Sequence, residues 1–200
     1  MYFVEKEEEI AGKKVFYIKQ PIGEKDIIFM HGKSYTASDW LKLNDTLIGL
    51  YNLKYRFYAF DFPGFGKSEA NDIEPVDFIK AFVEYKKLDN FVLFGASMSG
   101  GFALKYALVH PKKVRAIIAA APAWIEKEIE TFKNLDIPTL LLWGANDNKV
   151  DPKIGTQLKE IMPNATLHTF RGLSHPFYFE NEALFDQYFF DFLKSIDDEK

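Results

Sequence analysis

Apolar positions along the chain follow two rhythms. Short, nearly unbroken runs at 26–30 (DIIFM), 56–62 (RFYAFDF), 90–96 (NFVLFGA), 114–121 (VRAIIAAA) and 137–143 (IPTLLLW) have the length of strands. Runs of this kind suit strands buried on both faces. Between them, apolar residues recur every three or four positions, as do Trp40, Leu43, Leu47 and Leu50. That spacing predicts amphipathic helices at 39–51, 74–87, from 98 to just before His110-Pro111, and 182–196. Ser38 suits the cap of the first, and Asp151-Pro152 reads as a cap followed by proline in the first turn of another. A hairpin over 9–17, turning near Gly12, and a strand at 165–170 complete the pattern. Strands alternating with helices predict a mostly parallel central sheet with helices on both faces. No repeat, low-complexity tract or linker interrupts it, so residues 1–200 are expected to form a single α/β domain.

Composition narrows the class further. Hydrophobic residues make up 48% of the chain, and 20 phenylalanines alone point to a packed interior rather than a disordered segment. The net charge of −4, with Lys and Glu interspersed, supplies neither a nucleic-acid groove nor a basic membrane-binding face. Without cysteine there are no disulfides, no thiolate nucleophile and no Cys-ligated zinc. The acidic start MYFVEKEEEI lacks the basic opening and longer apolar stretch of a secretory signal. No apolar run approaches the ~18 residues that span a bilayer. A cytoplasmic protein is expected, without nucleic-acid or membrane partners and with neither cofactor nor metal.

The chemistry concentrates at Gly95-Ala96-Ser97-Met98-Ser99-Gly100-Gly101, where an apolar strand gives way to a helix. Gly-x-Ser-x-small-Gly in that setting is the pattern of a nucleophile elbow. The turn forces its central serine into a strained conformation, so residues two positions either side must be small. Gly95 and Ser99 meet that demand if Ser97 is the nucleophile. With Ser99 in the role, Met98 would occupy the turn before it, and the strand ends too early. Ser97 is therefore preferred. A helix N-terminus with serine caps is the bland alternative; a phosphate-binding loop is disfavoured, since no G-x-x-x-x-G-K-[ST] occurs.

A serine hydroxyl needs a base, and the base an orienting acid; where the serine stands on a nucleophile elbow, they follow in the chain order Ser, Asp/Glu, His. Of the four histidines, His110 sits before a proline and His168 inside a strand, whereas His175 follows the exit of the 165–170 strand. Catalytic groups of open α/β sheets gather at that carboxyl edge, and His175 is expected to be the base. Asp147, running off the 137–143 strand in Trp143-Gly144-Ala145-Asn146-Asp147, is preferred as the acid. Its rival Asp151 is accounted for as a helix cap. Two backbone N–H groups are needed for the developing oxyanion, and those of Met98 and Lys33 are expected to supply them.

Taken together, His31-Gly32, Asp61 to Ser68 (DFPGFGKS), the elbow, Trp143 to Asp147 with Val150, and Gly172-Leu173-Ser174-His175 resemble the α/β-hydrolase superfamily over nearly the whole chain. Within it the chain looks most like the small CIB-like hydrolases, which also lack a lid and carry Ser-x-Ser in the elbow and His-Pro near aromatics. Gly95 stands where that group can have serine. The resemblance implies an α/β-hydrolase fold, and the DFPGFGKS loop is given a structural role beneath the site. Only about 14 residues separate the strand ending near Pro122 from the one at Ile137, which leaves no room for the helical cap of many relatives. An open site is expected, walled by some of Tyr35, Trp40, Phe62, Met98, Trp124 and Phe177. The pocket is assigned to His31, Tyr35, Trp124 and Phe177.

The reading that follows is a metal-independent serine hydrolase that cleaves small, short-acyl esters or thioesters through an acyl-enzyme. Two alternatives stand beside it: an acyltransferase, which the resemblance suggests, and a ligand-binding or receptor protein on a hydrolase scaffold. A peptidase would need clamping elements that the sequence does not display.

Overall fold

The structure is a computed structural model that describes residues 2–198. Eight strands form one sheet: β1 (Val4–Ile10), β2 (Lys13–Gln20), β3 (Lys25–Met30), β4 (Tyr55–Phe60), β5 (Phe91–Ala96), β6 (Val114–Ala120), β7 (Thr139–Gly144) and β8 (Ala165–Phe170), in the order β1-β2-β4-β3-β5-β6-β7-β8. β1 and β2 are antiparallel, and β2 joins β4 antiparallel. From β4 to β8 every pairing is parallel. The hairpin turns through Ala11 and Gly12, both at positive φ (54° and 75°), the backbone that matches the twist of two-residue hairpins. β1 is the outer strand and carries Glu5, Lys6, Glu7, Glu8 and Glu9 in succession.

Buried side chains alternate between the two faces. In β3, Ile28 and Met30 enter one core while Ile27 and Phe29 enter the other. The first core is closed by α2 (Pro75–Lys86), α3 (Met98–Val109) and α4 (Lys153–Ile161), through residues such as Phe78, Phe82, Leu104 and Leu158. The second is closed by α1 (Asn44–Asn52) and α6 (Glu182–Asp198), through Leu47, Leu50, Phe185, Phe189 and Leu193. A short α5 (Phe177–Glu180) precedes α6. The unbroken apolar strands thus do what two-sided burial requires of them.

One predicted helix is corrected. The stretch 39–51 is two pieces, a 3-10 helix at Ala37–Lys42 and then α1, with a break at Leu43 (φ −85°, ψ 68°). Its cap is Thr36 rather than Ser38. The Thr36 N–H donates to Asp39 Oδ2 at 2.8 Å, and the Ala37 N–H is taken by Asp61 Oδ1 at 2.7 Å. A carboxylate from the loop after β4 thereby fixes the start of the turn, a tertiary effect that local spacing does not encode.

Asp61 also accepts from the Lys67 N–H at 2.8 Å, and Ser68 Oγ donates to the Asp61 carbonyl at 2.8 Å while accepting from the Phe16 N–H at 3.0 Å. These bonds lock the 61–68 loop under the carboxyl edge of the sheet. Between β6 and β7 the chain makes only a 3-10 turn, Ile129–Asn134, and no cap domain covers the edge among the described residues. Among the described residues, no helix is long and apolar enough to cross a membrane.

Candidate active site

Chain order reverses at β3: β4 is added on one side of it and β5 on the other. Crevices in open α/β sheets form at such a switch, outside the carboxyl ends of the strands. The segments leaving β3 and β5 here are His31-Gly32-Lys33 and the corner at Ser97.

Ser97 joins β5 directly to α3 with φ 55° and ψ −116°, a conformation that costs a non-glycine residue about 1–3 kcal/mol. The surrounding backbone holds it there. The Ser97 N–H donates to the Ala120 carbonyl at 2.7 Å, and its own carbonyl accepts from the Gly100 and Ala123 amides at 3.0 and 2.9 Å. A Cβ at Gly95 would lie 2.3 Å from the Ser99 carbonyl oxygen, so only glycine allows α3 to come this close to β5. The two serines of the elbow have separate fates. Ser99 is fully buried; its Oγ accepts from the Ala96 N–H at 3.0 Å and donates to the Met30 carbonyl at 2.6 Å. It pins β3, β5 and α3 together. Ser97 is half-buried and lines a cavity of ≈ 360 Å³ with Lys33, Tyr35, Lys149, His175 and Tyr178 among its walls.

His175 Nδ1 lies 2.7 Å from Asp147 Oδ2. Asp147 Oδ1 accepts from the Lys149 and Val150 amides at 2.8 and 3.0 Å, which fixes the carboxylate in a turn after β7. Burial pushes the Asp147 carboxyl up, but the bonds from His175 and those two amides outweigh it and hold the group below its ordinary range. The turn meets the histidine loop closely: a Cβ at Gly144 would lie 2.0 Å from the Ser174 carbonyl, and the Asn146 N–H donates to the Leu173 carbonyl at 2.9 Å. Ser174 is tied in turn to Glu180, through its N–H at 2.8 Å and through its hydroxyl. Asp151 accepts from the Lys153 N–H at 2.9 Å, but it stands one residue ahead of the cap of α4, a position that Pro152 takes instead of one in the first helical turn.

Gly32 backs against Ser97, where an added Cβ would stand 3.4 Å from the serine Cβ. Lys33 follows at the cavity wall. Among the described residues, neither the Met98 nor the Lys33 amide donates to a protein acceptor. Two free N–H groups therefore belong to the segments that flank Ser97.

Of the four expected pocket residues, Tyr35 lines the Ser97 cavity. Trp124, 50% exposed, lines a second cavity of ≈ 220 Å³ together with Phe62, Phe65, Met98 and Phe102. His31 and Phe177 are corrected. His31 is fully buried; its Nδ1–H donates to the Gly32 carbonyl at 2.9 Å and its Nε2 accepts from the Phe62 N–H at 3.0 Å. Burial holds its pKa below the ordinary value, against the opposing pull of the Gly32 carbonyl. A neutral ring with both nitrogens occupied is a brace between two loops, not a ligand contact. Phe177 is fully buried and stacks on Phe170 at 4.8 Å within the second core. Trp40 is equally internal, against Phe29 and Phe94. Lys149 and Tyr178 were not anticipated at the site. The only sequence signals for them are their positions, two residues after Asp147 and three after His175.

A serine on a strained strand-to-helix corner at the switch point of a largely parallel sheet is the framework of the α/β hydrolases. Residues 27–136 match the α/β-hydrolase fold family, and the chain belongs to it. Among its relatives, ABHD14A of Danio rerio is 27% identical over 185 residues, which cover 90% of this chain and 68% of that protein. ABHD14B of Rattus norvegicus, provisionally named a protein-lysine deacylase, is 24% identical over 201 residues and 94% of both chains. The crystal structure of a predicted CIB-like hydrolase from Thermoplasma acidophilum superposes with a TM-score of 0.90 at 31% identity, covering 97% of this chain and 100% of that one. Family membership supports hydrolase activity.

Proposed function

We propose that the protein is a serine hydrolase acting on short-acyl esters or thioesters. One observation carries the reading: the half-buried, strained Ser97 shares a cavity with His175, whose other ring nitrogen is bonded to the buried Asp147. In this mechanism His175 Nε2 takes the Ser97 proton as the serine oxygen attacks the acyl carbon. The negative charge that develops on the carbonyl oxygen is held by the Met98 and Lys33 amides, each worth about 3–4 kcal/mol in comparable sites. The proton then passes from His175 to the departing oxygen or sulfur, and the acyl group stays on Ser97. Water, deprotonated by His175, releases the carboxylic acid and restores the serine. Asp147 holds the ring in the tautomer that makes Nε2 the acceptor.

A tagged fluorophosphonate tests the reading directly. Labelling at Ser97, mapped by mass spectrometry, with hydrolysis of 4-nitrophenyl acetate that Ser97→Ala abolishes, is the expected outcome. Labelling at Ser99, or no labelling of folded protein, would overturn it. A second reading, removal of acyl groups from lysine side chains, draws support from the likeness to ABHD14B and from the uncapped edge. An acetyl-lysine peptide, followed by release of acetate, tests that reading.

A further inference from the structure

Two cavities meet the chain at the elbow, and the chemistry proposed for Ser97 gives each a different half of the substrate. During acyl transfer the leaving oxygen must sit beside the base that protonates it. His175 lines the 360 Å³ cavity and is absent from the walls of the 220 Å³ one. The leaving group therefore occupies the former. The smaller cavity begins at Met98, next to the nucleophile, and its walls are aromatic and aliphatic apart from Asn71. It has the composition to take an apolar acyl group.

The leaving-group cavity carries charge of one sign. Lys33 and Lys149 line it, and no carboxylate does. Asp147 stands behind His175 with its side chain fully buried. Neither lysine belongs to an ion pair among the described residues, a state they share with many surface lysines of the chain; what sets them apart is that both stand on the wall of the cavity that holds Ser97 and His175. Lys33 Nζ lies 6.0 Å from the centre of the Trp124 ring, at the divide between the two cavities. A protein of net charge −4 thus presents two uncompensated ammonium groups at the place where a leaving group departs. Such an arrangement attracts an anion and raises its local concentration.

We infer that the natural substrate is an ester or thioester whose leaving group bears a negative charge, a carboxylate or a phosphate, with an apolar acyl group on the other side of the scissile bond. The inference rests on the serine-hydrolase reading and adds the substrate's polarity to it. Lys149, two residues after the Asp147 that holds His175, recognises the anion, and Lys33 assists from the wall of the same cavity.

Hexanoyl esters of 4-nitrophenol provide the test when the phenol carries no charge, a 3-carboxylate, a 3-phosphonate or a 3-trimethylammonium group. At low ionic strength the anionic esters are expected to exceed the neutral one in kcat/KM by about tenfold, and the cationic ester to fall below it. The ratio of anionic to neutral kcat/KM should drop toward one in Lys149→Gln, fall further in Lys149→Glu, and decline in 0.5 M salt. The carboxylate and phosphonate arms identify which anion the site favours. Ser97-dependent hydrolysis with equal kcat/KM for all four esters, unmoved by either lysine variant, would overturn the inference and leave the hydrolase reading standing. Turnover insensitive to Ser97→Ala would sink the hydrolase reading and the inference with it.

Discussion

The two sides of the site are held by different physics. On the nucleophile side, Ser97 is fixed by packing and by backbone bonds among β5, α3 and the end of β6, with Ser99 sealed beneath it. On the base side, His175 sits in an irregular loop held by close backbone contact with the turn after β7, at Gly144 and Asn146, and by side chains at the surface, Glu180 on Ser174 and Asn146 on Gly172. One side is over-determined and cannot shift without breaking the core. The other relies in addition on polar side-chain bonds that solvent, pH and single substitutions can weaken. The comparison predicts that lesions at the elbow are structural and lesions at the loop are local.

The largest effect is expected at Gly95. Gly95→Ala drives a methyl group against the Ser99 carbonyl and should cost about 3 kcal/mol or more, read as a fall in the denaturation midpoint. A fall much smaller than that would mean the elbow yields, and the contrast between the two sides would weaken. Ser99→Ala leaves the Ala96 N–H and the Met30 carbonyl without their buried partner, a loss of about 1–3 kcal/mol by chemical denaturation, with labelling of Ser97 retained in the folded fraction. Ser97→Gly removes the nucleophile and also the conformational strain. It should be more stable than Ser97→Ala by about 1 kcal/mol, because glycine accepts a positive φ without steric cost.

The smallest global effect is expected from acid. The Asp147 carboxyl is held below its ordinary 3.8 because its hydrogen bonds outweigh its burial. Its contribution is therefore complete above the unfolded value and is lost as pH falls through the depressed one. Pepsin digestion at pH values stepped downward from about 4 should cut first within 171–178 and only later within 91–109. Simultaneous cleavage of the two segments would erase the distinction.

Much of this was legible in the sequence, for identifiable reasons. Strands buried on both faces announce themselves as unbroken apolar runs, and β3 to β7 fall where those runs stand. The elbow reads locally, since the strained corner demands small residues at fixed offsets from Ser97. Asp147 and His175 follow strand exits, and the parallel sheet brings those exits to one edge. What escaped the sequence was tertiary. Trp40, Phe177 and Trp124 are all large aromatics near site segments, yet the first two are buried in the second core and the third is half-exposed. Nothing local separates them. His31 looks like a site histidine until the Phe62 amide is found on its Nε2. Lys149 carried no motif, and its position beside His175 depends on how the turn after β7 closes.

The outermost strand bears on how molecules of this protein meet one another. β1 pairs with β2 on one side and offers its other edge to solvent, bearing five successive charged side chains, four of them glutamates. Three of those glutamates are already paired within the chain, Glu5 with Lys67, Glu7 with Lys14 and Glu8 with Lys86, so a strand added along this edge would have to accommodate the pairs as well as the charges. At the opposite rim of the sheet, the middle residues of β8, Thr166 to Thr169, carry no carboxylate or ammonium group, so the two edges present an incoming strand with different chemistry.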